Sequence, residues 1–210
     1  MRLEIPTPII YPITSGAAKT PEDILPLVEA AVAAKVPLFQ IREKQLSARA
    51  LYELTARAVE ISGGSGTRLL VNDRSDIASS AGADGVHLTT QSLPAHVVRR
   101  IFGPQFLIGV STHSLAEARS AQAGGADFVV FGPVFETESK LEYGEPQGLK
   151  KLEEVTKELP GFPVVAIGGI TLDNLRACLD AGANGIAAIR LLNDAARMSS
   201  IVAGLRNVYK

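Results

Sequence analysis

The sequence alternates between short apolar runs and longer segments of helical periodicity, and this alternation limits the fold most strongly. Amphipathic segments lie between the runs, among them Pro21–Ala34, Ala48–Ile61, Ser114–Ala123, Leu172–Ala181 and Asp194–Tyr209. The runs are rich in Ile, Val, Leu and Phe, as buried parallel strands are. They are Pro8–Thr14, Leu38–Lys44, Arg68–Asn72, Gly85–Leu88, Leu107–Ser111, Phe128–Phe135, Val164–Ile170 and Gly185–Leu192. Eight strand–helix units predict an α/β fold of the TIM, or (β/α)₈, barrel type.

Three similar turns support a repeated architecture. The segments Ala81–Gly85, Gly124–Phe128 and Ala181–Gly185 each follow a predicted helix and precede a predicted strand. Glycine accepts the left-handed conformation that ends a helix, and Asp or Asn tolerates a tight turn. We therefore place these turns at the amino-terminal end of the barrel, with a structural role. No linker or low-complexity stretch interrupts the chain, which predicts one domain over residues 1–210.

Composition narrows the class of protein. The net charge of −1 argues against a nucleic-acid-binding surface, which is usually basic. The sequence has neither an apolar run of about 18 residues nor a signal-peptide pattern, so we expect a cytoplasmic protein without a membrane partner. The single cysteine, Cys178, excludes a disulfide within the chain and is expected to be a buried thiol. A homo-oligomer is compatible with the sequence, which does not determine the oligomeric state.

In such barrels the functional residues follow the carboxyl ends of the strands. At the end of the second run, strand alternation places Gln40, Arg42 and Lys44 on one face, towards the barrel mouth. Two cations at that position would repel each other unless an anion joined them, and a phosphate or pyrophosphate is the natural candidate. The alternative is an ion pair with Glu43 or with a carboxylate of a neighbouring strand.

The third, fourth and fifth runs end in further polar residues. Asp73 is a candidate Mg²⁺ ligand beside a polyphosphate site, or else a cap for the helix that follows. His87 is expected to be hydrogen-bonded in the core more readily than to react. Ser111 and His113 lie near the mouth, where His113 either exchanges a proton or positions another group.

The remaining runs lead into candidate phosphate contacts. The sixth is followed by a long polar loop through residue 148, which contains Thr137, Ser139 and Lys140. Loops of this length at the active face are often lids or phosphate cradles. The seventh ends in Gly168 and Gly169 before a Thr-capped helix, where backbone N–H groups can approach an anion. The eighth adds another cation, Arg190, beside that position.

Taken in order, these segments resemble the thiamin phosphate synthase/TenI family over nearly the whole chain. The motifs that carry the resemblance are Gln40–Lys44, Asn72–Arg74, Ala83–Leu88, Gly109–His113, Gly132–Phe135 with Thr137–Lys140, and Ala166–Ile170. The synthases of this family join hydroxymethylpyrimidine pyrophosphate to thiazole phosphate and release pyrophosphate with Mg²⁺. The resemblance implies that pyrophosphate is bound by Arg42, Lys44, Asn72 and Lys140. It also implies that Asp73 binds the metal, Gly168 the thiazole phosphate, and Thr137 and Ser139 the phosphates.

The sequence departs from the synthase pattern at two positions. Ser92 replaces the carboxylate that usually supplies the second Mg²⁺ ligand, which predicts weaker metal binding or none. Arg190 replaces a phosphate-binding serine, and its charge and bulk would change either the affinity or the substrate. We therefore keep two alternatives to the synthase: a TenI-type thiazole tautomerase, which needs no metal and would use His113 as acid and base, and a non-catalytic binder of thiamin-pathway metabolites.

Overall fold

The computed structural model describes residues 5–137 and 145–209. The described residues contain eight strands: β1 (Ile9–Pro12), β2 (Leu38–Ile41), β3 (Arg68–Asn72), β4 (Gly85–Leu88), β5 (Leu107–Thr112), β6 (Phe128–Phe131), β7 (Val164–Ile167) and β8 (Gly185–Ala188). They are parallel and form one sheet in the order β1-β8-β7-β6-β5-β4-β3-β2. A bridge between Ile13 and Gln40 joins the two ends of the sheet, so the strands make a nearly closed barrel. The predicted fold class is confirmed.

Helices connect the strands and cover the outside of the barrel. They are α1 (Leu25–Ala33), α2 (Ala48–Ser62), α3 (Ser75–Ser80), α4 (Ala95–Phe102), α5 (Leu115–Ala123), α6 (Gly148–Glu158), α7 (Leu175–Asp180) and α8 (Met198–Val208). The Ser114 hydroxyl accepts a hydrogen bond from the Glu117 backbone N–H and so caps the start of α5. None of the helices within the described ranges is long and apolar enough to cross a membrane.

Strand alternation divides the core into two layers. Side chains such as Phe39, Ile41 and Val71 pack between the sheet and the helices. A second cluster, which includes Leu70 and Phe128, fills the interior of the barrel. Because successive strand residues point to opposite sides, both layers come from the same eight short runs.

The three repeated turns close the amino-terminal end of the barrel, and their acidic or amide side chains bind the neighbouring strands. The Asp84 carboxylate accepts the Leu69 N–H at 2.8 Å. The Asn184 side chain accepts the Val164 N–H at 2.9 Å, and Asp127 contacts the strand beside it in the same way. These residues satisfy backbone donors at the strand starts, so the structural role predicted for the turns is confirmed.

Several elements are shorter than the sequence predicted. The second strand ends at Ile41 and not at Lys44, because the Arg42 N–H donates to the Thr14 hydroxyl at 2.8 Å instead of to a strand partner. The eighth strand ends at Ala188, and a 3-10 turn begins at Arg190. Pairing therefore stops before the charged residues, which belong to the loops at the barrel mouth.

Candidate active site

A buried hydrogen-bond network crosses the interior of the barrel below its mouth. The Gln40 amide donates to the Tyr11 hydroxyl at 2.9 Å. That hydroxyl lies 3.3 Å from His87 Nδ1, and His87 Nε2 lies 2.9 Å from the Ser111 hydroxyl. The network joins β1, β2, β4 and β5, and burial raises the pKa of Tyr11, which keeps the phenol neutral. His87 is thus hydrogen-bonded in the core, as predicted.

The interior positions nearest the mouth differ between the two halves of the barrel. On β2 to β5 they are polar and include Gln40, Asn72 and Ser111. On β7, on β8 and just beyond it they are apolar, namely Ile167, Ala187 and Ile189. The barrel mouth therefore offers hydrogen-bonding partners on one side and an apolar wall on the other.

A cavity of about 260 Å³ lies on the polar side, between the ends of β2, β3 and β4. We call it the polar-side cavity. Its lining includes Lys44, Asn72, Asp73, Thr89 and Gln91. The structure thus brings a cation, an amide and a carboxylate together along one cavity, the grouping that the family resemblance implies for Lys44, Asn72 and Asp73.

Asp73 is held in an unusual backbone conformation at the edge of this cavity. Its φ is +63°, a region that Asp tolerates better than most residues, and its N–H donates to the His87 carbonyl at 2.9 Å. The side chain is exposed. The following helix begins only at Ser75 with Arg74 at its N-cap, and no side-chain cap is present there. The capping role considered for Asp73 is therefore wrong.

The oxygen ligands at the cavity suit a hard cation that is bound partly by the protein and partly by a substrate. The Ser92 hydroxyl is occupied by the Thr89 N–H at 2.7 Å and by the Thr89 hydroxyl at 3.1 Å. Asp73 and nearby oxygens can still contribute, since Mg²⁺ commonly takes one or two carboxylates together with phosphates and water. Among residues 5–137 and 145–209, no group of three or more His, Cys, Asp and Glu side chains could hold a metal by itself.

Arg42 lies beside the loop after β1 and does not line the polar-side cavity. Its guanidinium Nη1 is 3.5 Å from the Ser15 carbonyl. Glu43 is buried and accepts backbone N–H groups of Gly16 and Ala18. The ion pair considered between the cations of this segment and Glu43 is absent from the salt bridges of the described residues. The Glu43 carboxylate binds backbone donors instead.

A second cavity, of about 510 Å³, lies on the apolar side at the ends of β6, β7 and β8. We call it the apolar-side cavity. Gly168 and Gly169 line it with φ values of +99° and +62°. A Cβ at Gly168 would lie 2.5 Å from Pro133 Cβ, and one at Gly169 would lie 2.4 Å from the Glu136 carbonyl oxygen. The two glycines are therefore required for close packing against the loop after β6. This packing role is separate from any role in binding an anion.

The helix after these glycines begins later than predicted, at Leu175 rather than Leu172, with Asn174 as its N-cap. Thr171 nevertheless caps the turn that leads into α7. Its hydroxyl accepts the Asn174 N–H at 3.4 Å, the Asn174 side chain accepts the Thr171 N–H at 2.8 Å, and the Thr171 carbonyl accepts the Leu175 N–H at 3.1 Å. This reciprocal pattern is that of a capping box, so the capping by Thr171 is confirmed and only the start of the regular helix differs.

Arg190 lies across the apolar-side cavity from the loop after β6. Its guanidinium donates to the Thr137 hydroxyl at 3.2 Å, and both residues line the cavity. This contact brings together two candidates that are 53 residues apart in the sequence. Ser139 and Lys140 lie outside the described residues, so their predicted roles stay predictions.

His113 lies at the end of β5, beyond both cavities. Its Nδ1 is 3.3 Å from a Glu117 carboxylate oxygen, which also accepts the His113 backbone N–H at 2.7 Å. The carboxylate orients the imidazole, an arrangement that suits either a positioning or a proton-transfer role. His113 lines neither the polar-side nor the apolar-side cavity.

Sequence reasoning did not identify two residues that organise the site. Tyr11 lies in an ordinary apolar run, and nothing in that run indicates that its hydroxyl joins Gln40 to His87. The sequence indicates Glu43 only as an ion-pair partner, and its position between two cations at a strand end is the one local signal that it has a particular role.

The nearly closed barrel, with two cavities among the loops at the carboxyl ends of its strands, is typical of (β/α)₈-barrel enzymes. The family model described as thiamine monophosphate synthase matches residues 10–192. The chain therefore belongs to this enzyme family, and the resemblance seen in the motifs is confirmed.

Individual relatives of the chain carry the same enzyme name as the family. The thiamine-phosphate synthase of Desulfitobacterium hafniense strain Y51 is 37% identical over 201 residues, which cover 96% of this chain and 97% of the relative. That of Moorella thermoacetica is 40% identical over 184 residues, 88% and 87% of the two chains. The solved thiamine phosphate pyrophosphorylase from Pyrococcus furiosus superposes with a TM-score of 0.81 at 32% identity, and the match covers 95% of this chain and 94% of that one. These names favour the synthase over the tautomerase alternative.

Proposed function

We propose that the chain is a thiamine-phosphate synthase that joins hydroxymethylpyrimidine pyrophosphate to thiazole phosphate and releases pyrophosphate. The observation that carries the proposal is the pair of cavities at one end of the barrel. Each is lined by groups suited to an anion: Lys44 and Asn72 in the polar-side cavity, and Arg190 with two glycine N–H groups in the apolar-side cavity. A reaction between two phosphorylated substrates requires two such places.

The pyrophosphate of the first substrate fits the polar-side cavity. Lys44 and the Asn72 amide would donate hydrogen bonds to its oxygens, and Arg42 would reach it from the neighbouring loop. When the bond to the pyrimidine methylene breaks, negative charge grows on the departing pyrophosphate. Donors placed in advance stabilise that charge at the moment it forms. Lys140, outside the described residues, is proposed as a further cation for the same group.

Asp73 would hold Mg²⁺ at the edge of this cavity. Such an ion neutralises charge on a departing pyrophosphate when bound. With Ser92 in place of a second carboxylate, most of its other ligands would be pyrophosphate and water oxygens. We therefore expect the chain to bind Mg²⁺ weakly on its own and more tightly together with pyrophosphate.

The thiazole phosphate fits the apolar-side cavity. Its ring would pack on Ile167 and Ile189, while the N–H groups of Gly168 and Gly169 and the Arg190 guanidinium would bind the phosphate. Thr137, and Ser139 beyond it, would add hydroxyl groups. The location agrees with the usual phosphate site of such barrels, formed by the loops after the seventh and eighth strands.

The pyrimidine ring would then lie over the polar interior, between the two anion sites. Gln40 and Ser111 are the interior side chains able to bind its nitrogen atoms, and Tyr11 and His87 hold both in place. This arrangement would orient the methylene carbon towards the thiazole nitrogen on the apolar side. His113, at the rim, is proposed to position substrate or to exchange a proton there.

The test combines purified protein with both phosphorylated substrates and Mg²⁺ and measures formation of thiamine phosphate. Parallel samples contain EDTA, the Asp73→Ala variant, or the control variant Glu60→Ala, which changes an exposed carboxylate on α2. We expect product that disappears with EDTA, falls strongly with Asp73→Ala and is unchanged with Glu60→Ala. Folded protein that makes no thiamine phosphate would refute the proposal.

A further inference from the structure

We propose that Glu43 is a positioning residue that holds the loop after β1 so that this loop orients Arg42 for pyrophosphate. The inference rests on the proposed function, because it concerns how Arg42 is held at that site. Glu43 also lines the polar-side cavity, but both of its carboxylate oxygens accept backbone N–H groups of Gly16 and Ala18, so we do not place it among the pyrophosphate ligands. It acts through the backbone of residues 14–18, which we call the β1 loop.

The Glu43 carboxylate is buried, with 2% of the residue exposed. One oxygen accepts the Gly16 N–H at 3.1 Å, and the other accepts the Ala18 N–H at 2.9 Å. A buried carboxylate is costly unless such bonds compensate it, and charge-assisted bonds of this kind are stronger than neutral ones. Both oxygens are thus used to fix two backbone groups of the same loop.

The same loop contacts Arg42 at three places. The Arg42 N–H donates to the Thr14 hydroxyl at 2.8 Å, and its Nη1 lies 3.5 Å from the Ser15 carbonyl. Gly16 has a φ of +83°, and a Cβ added there would lie 3.2 Å from Arg42 Nη1. The absence of a side chain at Gly16 therefore leaves the space that the guanidinium occupies.

Arg42 and Glu43, which are consecutive in the sequence, therefore both contact the β1 loop. Glu43 holds the loop at residues 16 and 18, and the loop supports Arg42 at residues 14, 15 and 16. If the carboxylate is lost, the two N–H groups lose their acceptors and the loop can shift by a small amount. Displacement of a group near the reacting atoms by about 1 Å can lower activity by about a hundredfold. A carboxylate that only stabilised the fold would not need to bind the same loop that contacts Arg42.

The test compares Glu43→Gln with the control Glu60→Gln, an exposed change on α2. Glutamine keeps the shape but presents an NH₂ group to one of the two N–H donors. We measure the affinity for inorganic pyrophosphate with Mg²⁺ and the affinity for thiazole phosphate by calorimetry, together with kcat and KM. We expect pyrophosphate binding to weaken by about tenfold or more, the size of one lost hydrogen bond to a charged group. Thiazole phosphate binding should stay within twofold of the control.

A double-mutant cycle with Arg42→Ala separates this role from a structural one. If Glu43 acts through Arg42, the Glu43→Gln change should have little further effect on pyrophosphate affinity once Arg42 is absent. Additive effects, or pyrophosphate binding by Glu43→Gln equal to that of the control, would overturn the inference. If Arg42→Ala alone binds pyrophosphate normally, the proposed pyrophosphate site is wrong and the inference fails with it.

A second variant decides the matter if Glu43→Gln does not fold. Gly16→Ala keeps the carboxylate but places a methyl group against the Arg42 guanidinium. Gly64→Ala is its control, since Gly64 also has a positive φ, of +72°, and a Cβ there would meet nothing within 4 Å. Selective loss of pyrophosphate affinity in Gly16→Ala relative to Gly64→Ala supports the inference. Equal affinity in the two variants would overturn it.

Discussion

Replacement of Tyr11 by Phe removes one hydroxyl from the buried network and leaves the ring in place. The ring packs edge-on against Phe128, with the ring centres 5.5 Å apart, and the substitution preserves this contact. The Gln40 amide would lose the acceptor that now lies 2.9 Å away. The weaker contact to His87 Nδ1, at 3.3 Å, would be lost as well.

The expected cost follows from the burial of the partner. Gln40 is only 2% exposed, so its amide cannot turn to bulk water. A buried donor left without an acceptor costs about 1–3 kcal/mol. We therefore expect Tyr11→Phe to lower the free energy of unfolding by about 1–3 kcal/mol and to raise the KM for the pyrimidine substrate, because Gln40 is no longer held.

Urea denaturation at neutral pH measures the first effect, provided that the m-value stays that of the wild type. Tyr52→Phe is the control, since Tyr52 is 43% exposed on α2 and its change should stay within about 0.5 kcal/mol. A Tyr11→Phe variant as stable as Tyr52→Phe, with unchanged KM, would refute the role assigned to the network.

Three further changes test other parts of the account. Gly168→Ala should destabilise the protein more than Gly64→Ala, by about 1–3 kcal/mol in urea denaturation, because it adds overlap with the loop after β6 to the strain of a positive φ; equal effects would contradict this packing. Arg190→Ala should weaken thiazole phosphate binding by about tenfold or more in calorimetry, the loss expected for one hydrogen bond to a charged group, whereas the exposed Arg197→Ala should not. Burial raises the pKa of the Cys178 thiol to about 11, whereas the pKa of an exposed thiol is about 8.5. The unfolded chain therefore releases this proton first, and the free energy of unfolding should fall as pH rises between those values, with a shallower slope in Cys178→Ala; identical slopes would contradict the assignment.

The barrel could be predicted from the sequence because its signals are local. Each strand is a short apolar run, and each of the three repeated turns combines a left-handed glycine with a side chain that binds the preceding strand. The proximity of Lys44 and Asp73 could also be predicted, since parallel strands place their carboxyl ends at the same edge. These inferences depend on periodicity and strand direction, whereas the choice of Asn72 depends on the family resemblance.

The parts that could not be predicted depend on contacts between distant segments. Strand alternation predicts a strand through Lys44, whereas pairing stops at Ile41 because the Arg42 N–H donates to the Thr14 hydroxyl. The contact between Arg190 and Thr137 joins two loops whose paths no local pattern specifies. The hydrogen bonds from Gly16 and Ala18 to the Glu43 carboxylate depend on the path of the β1 loop, which no local pattern specifies either.

The most direct test of the account is a crystal structure with pyrophosphate, Mg²⁺ and thiazole phosphate bound together. We predict pyrophosphate beside Lys44 and Asn72 with the metal at Asp73, and the thiazole phosphate beside Gly168, Gly169 and Arg190. Both anions in the same cavity, or a metal bound away from Asp73, would contradict the division of the barrel mouth into two anion sites.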